Sequence, residues 1–240
     1  MCGRFKVARK KEILEEAFAA SDDLGAPDWT PRYNAAPGQA IAAVRQLPDR
    51  PTRTLSRLHW GLIPAWAKDA SIGYKMINAR AETVAEKPSF RSALRSRRCL
   101  IPADGFYEWQ HSGREKLPWC FTLADDALFA FAGLWEEWRP PQGPSAPAQT
   151  IQSCTILTTA PNDLMRGVHD RMPVILDRAD YDLWLDPGMR NIDVVSEMLK
   201  PYDAGRMRCY PVSSRVNHVA NDDAECSTPI EPSQPQGTLF

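Results

Sequence analysis

Cysteine stands second in this chain, in Met1-Cys2-Gly3-Arg4-Phe5. Methionine ahead of a small residue is a substrate for general trimming, which would leave Cys2 first. An N-terminal cysteine carries an α-amine and a thiol on adjacent carbons, with ordinary pKa values of roughly 8 and 8.5. The amine condenses with an aldehyde to an imine, as lysine does in Schiff-base enzymes. The thiol then adds to the imine and closes a five-membered thiazolidine, which no internal cysteine can do. The competing reading is a buried thiol that packs as a small hydrophobe.

Four further segments hold residues able to do chemistry. In Ile77-Asn78-Ala79-Arg80-Ala81-Glu82-Thr83, Asn78 and Arg80 are two apart and share a face if the segment is extended. An amide and a guanidinium on one face suit an anionic ligand; the alternative is a loop-stabilising Asn78 with Arg80 paired to Glu82. In Gly105-Phe106-Tyr107-Glu108-Trp109, Glu108 has aromatic neighbours. Desolvation there would raise its pKa toward the range useful for proton transfer; the alternative is an exposed glutamate on a polar strand face. His169, in Val168-His169-Asp170-Arg171-Met172-Pro173, can exchange a proton near neutral pH, with Arg171 as a nearby anion site. The alternative is a structural histidine at a helix end. Trp66, beyond Trp60-Gly61-Leu62-Ile63-Pro64, could stack on a nucleobase, while Trp60 suits a core.

The elements that must position these residues are short. Lys10–Ala20 has helical apolar spacing, and Ser89–Arg98 reads as a helix with Ser89 as N-cap. Strands are predicted at Ala40–Gln46, Thr54–Gly61, Cys99–Ile101, Gly105–Gln110, Trp119–Leu123, Leu128–Trp135, Ile151–Thr158 and Met207–Val212, with a hairpin turn at His111-Ser112-Gly113. Asp28–Gln39 reads as a structured loop and Arg139–Gln149 as a flexible one. Short helices are expected near 162–167, 179–185 and 194–199. Strands in the middle with helices before and after predict an α+β fold on a curved, mostly antiparallel sheet.

The 240 residues suit one large domain or two small ones. Formal net charge is -1, so a nucleic-acid site would be a local arginine patch. None of the six cysteines forms a C-x-x-C pair or stands at zinc-finger spacing with histidine, and no metal or cofactor is expected. No apolar run suits a signal peptide or membrane span, so a cytoplasmic protein with reduced thiols is expected. Nothing suggests coiled-coil pairing, and a monomer is expected.

MCGRF, YNAAPGQ (33–39), WGLIPAWAKD (60–69), INARAET (77–83), CLIPADGFYEW (99–109), HDRMPVIL (169–176) and VSSRVNHVANDDAEC (212–226) follow in order. Together they resemble the SRAP family, the SOS-response-associated peptidase-like proteins, from Met1 to about residue 229. The resemblance implies a single barrel-like domain over 1–229, with 230–240 as a flexible tail. It implies recognition of abasic sites in single-stranded DNA and a covalent cross-link through Cys2 in the DNA-damage response. Asn78 would orient the amine or a sugar oxygen, Glu108 would act as general acid and base, and His169 would assist proton transfer at the opened sugar. Arg4, Arg80 and Arg171 would hold phosphates, with Arg91 a weaker candidate. Trp66 and Pro37 would stack on bases, and Asn34 and Thr158 would contact DNA. The family name also leaves open a thiol peptidase or N-terminal-nucleophile hydrolase that only removes Met1. A third alternative is a noncovalent binder of modified or single-stranded DNA.

Overall fold

The structure is a computed structural model that describes residues 2–113, 115–140 and 150–231. Its strands in chain order are β1 (Phe5–Val7), β2 (Ala20–Asp23), β3 (Arg32–Ala35), β4 (Ala40–Arg45), β5 (Arg53–Trp60), β6 (Asn78–Arg80) and β7 (Arg98–Ala103). They continue with β8 (Gly105–Ser112), β9 (Glu115–Leu123), β10 (Phe129–Trp138), β11 (Ile151–Thr159), β12 (Met172–Pro173), β13 (Ile175–Leu176) and β14 (Met207–Pro211). The α-helices are α1 (Lys11–Phe18), α2 (Arg91–Ser96), α3 (Asp163–Arg166), α4 (Tyr181–Leu185) and α5 (Ile192–Glu197).

Five strands close into a barrel. β11, β10, β7, β4 and β5 are neighbours in that order, and β5 returns to pair with β11. The closing pair is parallel, with Ser153 opposite His59 and Cys154 opposite Trp60. Closure removes the edges that would otherwise template aggregation. β6 adds alongside β11 in parallel, placing Asn78 opposite Ile156 and Arg80 opposite Thr158. A second, antiparallel sheet runs β14-β9-β8-β1-β3. The α+β, curved-sheet expectation therefore holds, with parallel pairs at β5–β11, β6–β11 and β2–β5.

The two sheets meet through aromatic edges. Phe5 on β1 lies edge-on to Trp60 of β5 at 5.2 Å and to Phe131 of β10 at 5.8 Å between centroids. Phe106 on β8 stacks on Phe121 at 5.2 Å and meets Phe131 at 5.9 Å. All five rings are buried. Each pair contributes on the order of 1 kcal/mol beyond its area burial. The first residues of the chain are thus fastened to the barrel core.

Several boundaries differ from the sequence expectations, for local reasons. α1 stops at Phe18 because Ala19 turns left-handed (φ 49°) and leads into β2. Phe90, not Ser89, is the N-cap of α2, and no side chain caps that helix. β8 runs through Ser112, which stands opposite Glu115, so the turn falls one residue later than His111-Ser112-Gly113 implies, with Gly113 at φ 60°. The loop expected at 28–39 contains β3, a strand made by pairing with the distant β1. The flexible stretch expected at 139–149 and the tail at 230–240 fall outside the described residues except at 139–140 and 230–231.

One glycine pair shapes the approach to the site. A Cβ on Gly61 (φ 139°) would fall 2.8 Å from the Gly73 carbonyl oxygen, and one on Gly73 would fall 2.7 Å from that of Gly61. Their contact closes the 61–76 segment, which carries exposed Trp66 and Tyr74, and Leu62 N–H donates to Met76 O at 3.1 Å.

Candidate active site

The site is built where the short β1 enters between β8 and β3. Phe5 stands opposite Phe106 and Ala35, and Tyr107 N–H donates to Arg4 O at 3.0 Å. Asp104 secures the exit of this strand by accepting Ala8 N–H at 2.8 Å, with Lys6 and Arg9 at 3.6 and 3.5 Å. Residues 2–4 are thereby held between β8 and β3, against the barrel. Cys2 is fully buried. Burial pushes its thiol far above the ordinary range, the charge of Glu108 adds to that, and the positive chain terminus and the Arg4 backbone oppose it. The thiol rests in the protonated form, and Glu108 is one of its electrostatic neighbours.

Glu108 lies two residues along β8 from Phe106, on the same strand face, and is buried. Burial lifts its carboxyl to about 7, against the pull of the positive chain terminus and with a push from Asp170. At neutral pH it is therefore divided between acid and base. The desolvation expected from its aromatic neighbours in the sequence agrees with this burial.

His169 follows α3. Its backbone N–H caps that helix by donating to Met165 O at 2.9 Å, while its imidazole turns elsewhere. Nδ1 lies 3.0 Å from the N–H of Arg171 and 2.9 Å from Oδ1 of Asp170; the first contact favours a neutral-ring proton on Nε2, the second one on Nδ1. Nε2 stands 4.0 Å from Oε2 of Glu108. Burial and the positive chain terminus hold the His169 pKa below the ordinary value, with Asp170 opposing.

Asn78 approaches from β6. Its Nδ2 donates to Ile77 O at 3.0 Å, while its Oδ1 is buried without a hydrogen-bond partner among the described residues. A buried acceptor left open costs about 1–3 kcal/mol, and an N–H or O–H donor from a ligand would recover it. Trp60 ties this segment to the chain start, since its indole N–H donates to Ile77 O at 2.9 Å and its ring meets Phe5.

The remaining predicted residues divide into two groups. Trp66 and Arg80 are exposed, and Pro37 is half-buried beside Gly38. The Arg80 side chain makes no hydrogen bond or ion pair among the described residues, and Glu82 feels it only as a nearby positive charge. Glu82 instead takes Arg171 in a two-pronged pair at 2.7 and 2.9 Å, and Arg171 also donates to Thr158 O at 2.7 Å. Arg171 is thus engaged by the protein itself. Arg4 is engaged too, donating to Asn34 Oδ1 at 3.0 Å and to Val216 O at 2.8 Å. Arg91 is exposed at the start of α2, a helix packed on β7 and β10, and among the described residues its side chain makes no hydrogen bond or ion pair with this cluster.

Two expectations need correction. Asn34 and Thr158 are fully buried and do not present side chains to a DNA strand. Asn34 Nδ2 instead donates to Val216 O, His218 O and Asn221 O at 3.1, 3.1 and 2.7 Å. Thr158 Oγ1 lies against Ala79 O at 3.5 Å, as expected for a strand interior.

Sequence reasoning missed Asp222. Its carboxylate accepts the N–H groups of Tyr33 and Asn34 at 2.6 and 2.8 Å and also binds Arg32. It covers the outer edge of β3 with the 213–222 segment, and β3 in turn braces β1. Its placement in the VSSRVNHVANDDAEC stretch was the only hint. A cavity of about 550 Å3 opens beside His169, where Gln110 Nε2 donates to Gly167 O at 3.0 Å. A second of about 440 Å3 lies between Trp66, Lys68 and Lys75. Among the described residues no group of three or more His, Cys, Asp or Glu is placed to hold a metal ion.

Comparison with known proteins agrees with the motif order. A protein from Bacteroides thetaiotaomicron solved by crystallography superposes with a TM-score of 0.85 at 24% identity, covering 96% of this chain and all of that one. A Bordetella bronchiseptica protein superposes with a TM-score of 0.74 at 30% identity, covering 88% of this chain and all of its own. "Abasic site processing protein YoqW" of Bacillus subtilis is 47% identical over 226 residues, which is 94% of this chain and 98% of that protein. "Abasic site processing protein HMCES" of Gallus gallus is 30% identical, across 96% of this chain and 78% of its own. The family model described as SOS response associated peptidase (SRAP) matches residues 1–219, and this chain belongs to that family.

Proposed function

We propose that this protein recognises abasic sites in single-stranded DNA and bonds to them through Cys2 once Met1 is removed. The observation that carries the reading is the chain start buried against a carboxyl that burial has lifted to about 7. The names of the similar abasic site processing proteins support the same substrate.

An abasic sugar in its open form has an aldehyde at C1′. The Cys2 α-amine attacks C1′, and the carbinolamine loses water to give an imine. The thiol S–H then adds across the C=N bond, sulfur to C1′ and hydrogen to nitrogen, closing a thiazolidine. One water is released overall, and no redox partner is needed. Glu108 gives and takes the protons of these steps, because a group titrating near 7 serves both directions. His169 presents Nε2–H toward the same space and would stabilise the opened sugar oxygen. The open Oδ1 of Asn78 suits the amine or a sugar hydroxyl. Arg80 would hold a phosphate, and Trp66 with Pro37 would stack on flanking bases.

Met1 must leave first, because its retention acylates the Cys2 amine and destroys the 1,2-aminothiol. A thiol peptidase is the poorer reading. Nucleophilic thiolate requires a lowered pKa, and burial drives Cys2 the other way. Incubation with a single-stranded abasic oligonucleotide should give a band that survives denaturing electrophoresis and disappears in Cys2→Ala. Complete loss of wild-type association under denaturing conditions would leave only noncovalent binding.

A further inference from the structure

Glu82 follows β6 by two residues, in the turn that begins at Arg80. Both its carboxylate oxygens accept from the Arg171 guanidinium, and Thr158 O on β11 accepts a third bond. Planar fork-to-fork pairing fixes an arginine in orientation as well as in place. The Arg171 side chain is 14% exposed and that of Glu82 49%, so the guanidinium is covered while water reaches the carboxylate. The backbone of the same residue supplies the N–H that His169 Nδ1 accepts at 3.0 Å.

This N–H favours an imidazole proton on Nε2. A ring nitrogen that accepts a hydrogen bond cannot also carry the proton of the neutral ring. There is a rival for that nitrogen. Asp170 Oδ1 lies 2.9 Å from Nδ1, and its charge draws the proton to that nitrogen against the Arg171 N–H. The other charged or titratable groups acting on the ring are Glu108, the positive chain terminus and His111.

We infer that Glu82 is a positioning residue: by clamping the Arg171 guanidinium it holds the Arg171 N–H on His169 Nδ1 and keeps the imidazole proton on Nε2, facing Glu108. The role in catalysis rests on the proposed function, in which His169 donates from Nε2. It also divides labour between two arginines. Both terminal nitrogens of Arg171 donate to Glu82 or Thr158, its Nε being buried without a hydrogen-bond partner among the described residues, while Arg80 stays available to a phosphate.

The test is Glu82→Gln in the full chain, with Glu82→Asp beside it. Nitrogen-15 spectra of histidine-labelled protein without DNA report the His169 tautomer. Wild type should show Nε2–H, Glu82→Gln should shift toward Nδ1–H, and Glu82→Asp should recover Nε2–H at least in part. Adduct formation by Glu82→Gln should slow by about tenfold, a fraction of what a proton donor contributes. Noncovalent affinity for an oligonucleotide carrying tetrahydrofuran, an abasic analogue with no aldehyde, should be unchanged or tighter, since a negative charge has gone. A merely structural role would lower rate and affinity together, and that result overturns the inference. So does an unchanged Nε2–H tautomer in Glu82→Gln. If wild type forms no adduct, the proposed function fails, while the spectra still decide whether the clamp sets the tautomer.

Discussion

Oε2 of Glu108 and Nε2 of His169 face each other at 4.0 Å, one from the middle of β8 and the other from the loop after α3. The separation is too long for a direct hydrogen bond and short enough for both groups to reach one substrate oxygen or nitrogen. Burial keeps the carboxyl partly protonated and the imidazole neutral at pH 7. The pair can therefore supply and accept protons without holding a fixed ion pair in the cleft.

Glu108→Gln should slow adduct formation by about 100-fold while leaving DNA affinity near wild type. Single-turnover rates beside equilibrium binding to the tetrahydrofuran analogue check this. Equal rates would remove the acid–base role.

The same residue makes a stability prediction. Its folded pKa, about 7, lies above the ordinary 4.5. The folded state therefore binds more protons than the unfolded state between those values, and stability is greatest below 4.5 and is lost as pH rises toward 7. The loss is on the order of 3 kcal/mol. Urea midpoints from pH 4.5 to 7.5 should fall more steeply for wild type than for Glu108→Gln, and parallel curves would contradict the assignment.

Arg80→Ala and Arg171→Ala should separate binding from bracing. Losing one phosphate contact to a single strand flattens the slope of log affinity against log salt by about 0.7. That change is expected for Arg80→Ala. Arg171→Ala should leave the slope nearly intact and lower thermal stability, because its donors serve Glu82 and Thr158. A salt titration of both variants decides.

Asn34→Ala should destabilise the fold by about 3 kcal/mol. It strips partners from three carbonyls and from Arg4 within a buried hub. Urea unfolding measures this. A cost below about 1 kcal/mol would mean that water replaces the amide.

Trp66→Ala and Trp60→Ala should behave oppositely. Trp66 is 58% exposed, and its loss should weaken binding to single-stranded DNA by about 1–3 kcal/mol with little effect on stability. Trp60 is fully buried, and its loss should cost about 3–5 kcal/mol of folding energy. Melting curves with binding isotherms separate the two.

Local chemistry was legible in the sequence wherever a residue's own neighbours determine it. The adjacent amine and thiol of an N-terminal cysteine, the aromatic setting of Glu108 and the period-two pattern of the long strands are all short-range properties. What no local pattern contained was the pairing of distant segments. β3 is a strand because β1 and Asp222 satisfy its edges. Asn34 looks like a surface polar residue until the 213–222 segment closes over it. Glu82 could as well have paired with Arg80, two residues away on the same segment. Tertiary structure gave it Arg171, 89 residues on, because the closed barrel sets β6 beside β11 and brings the His169–Arg171 loop against that edge.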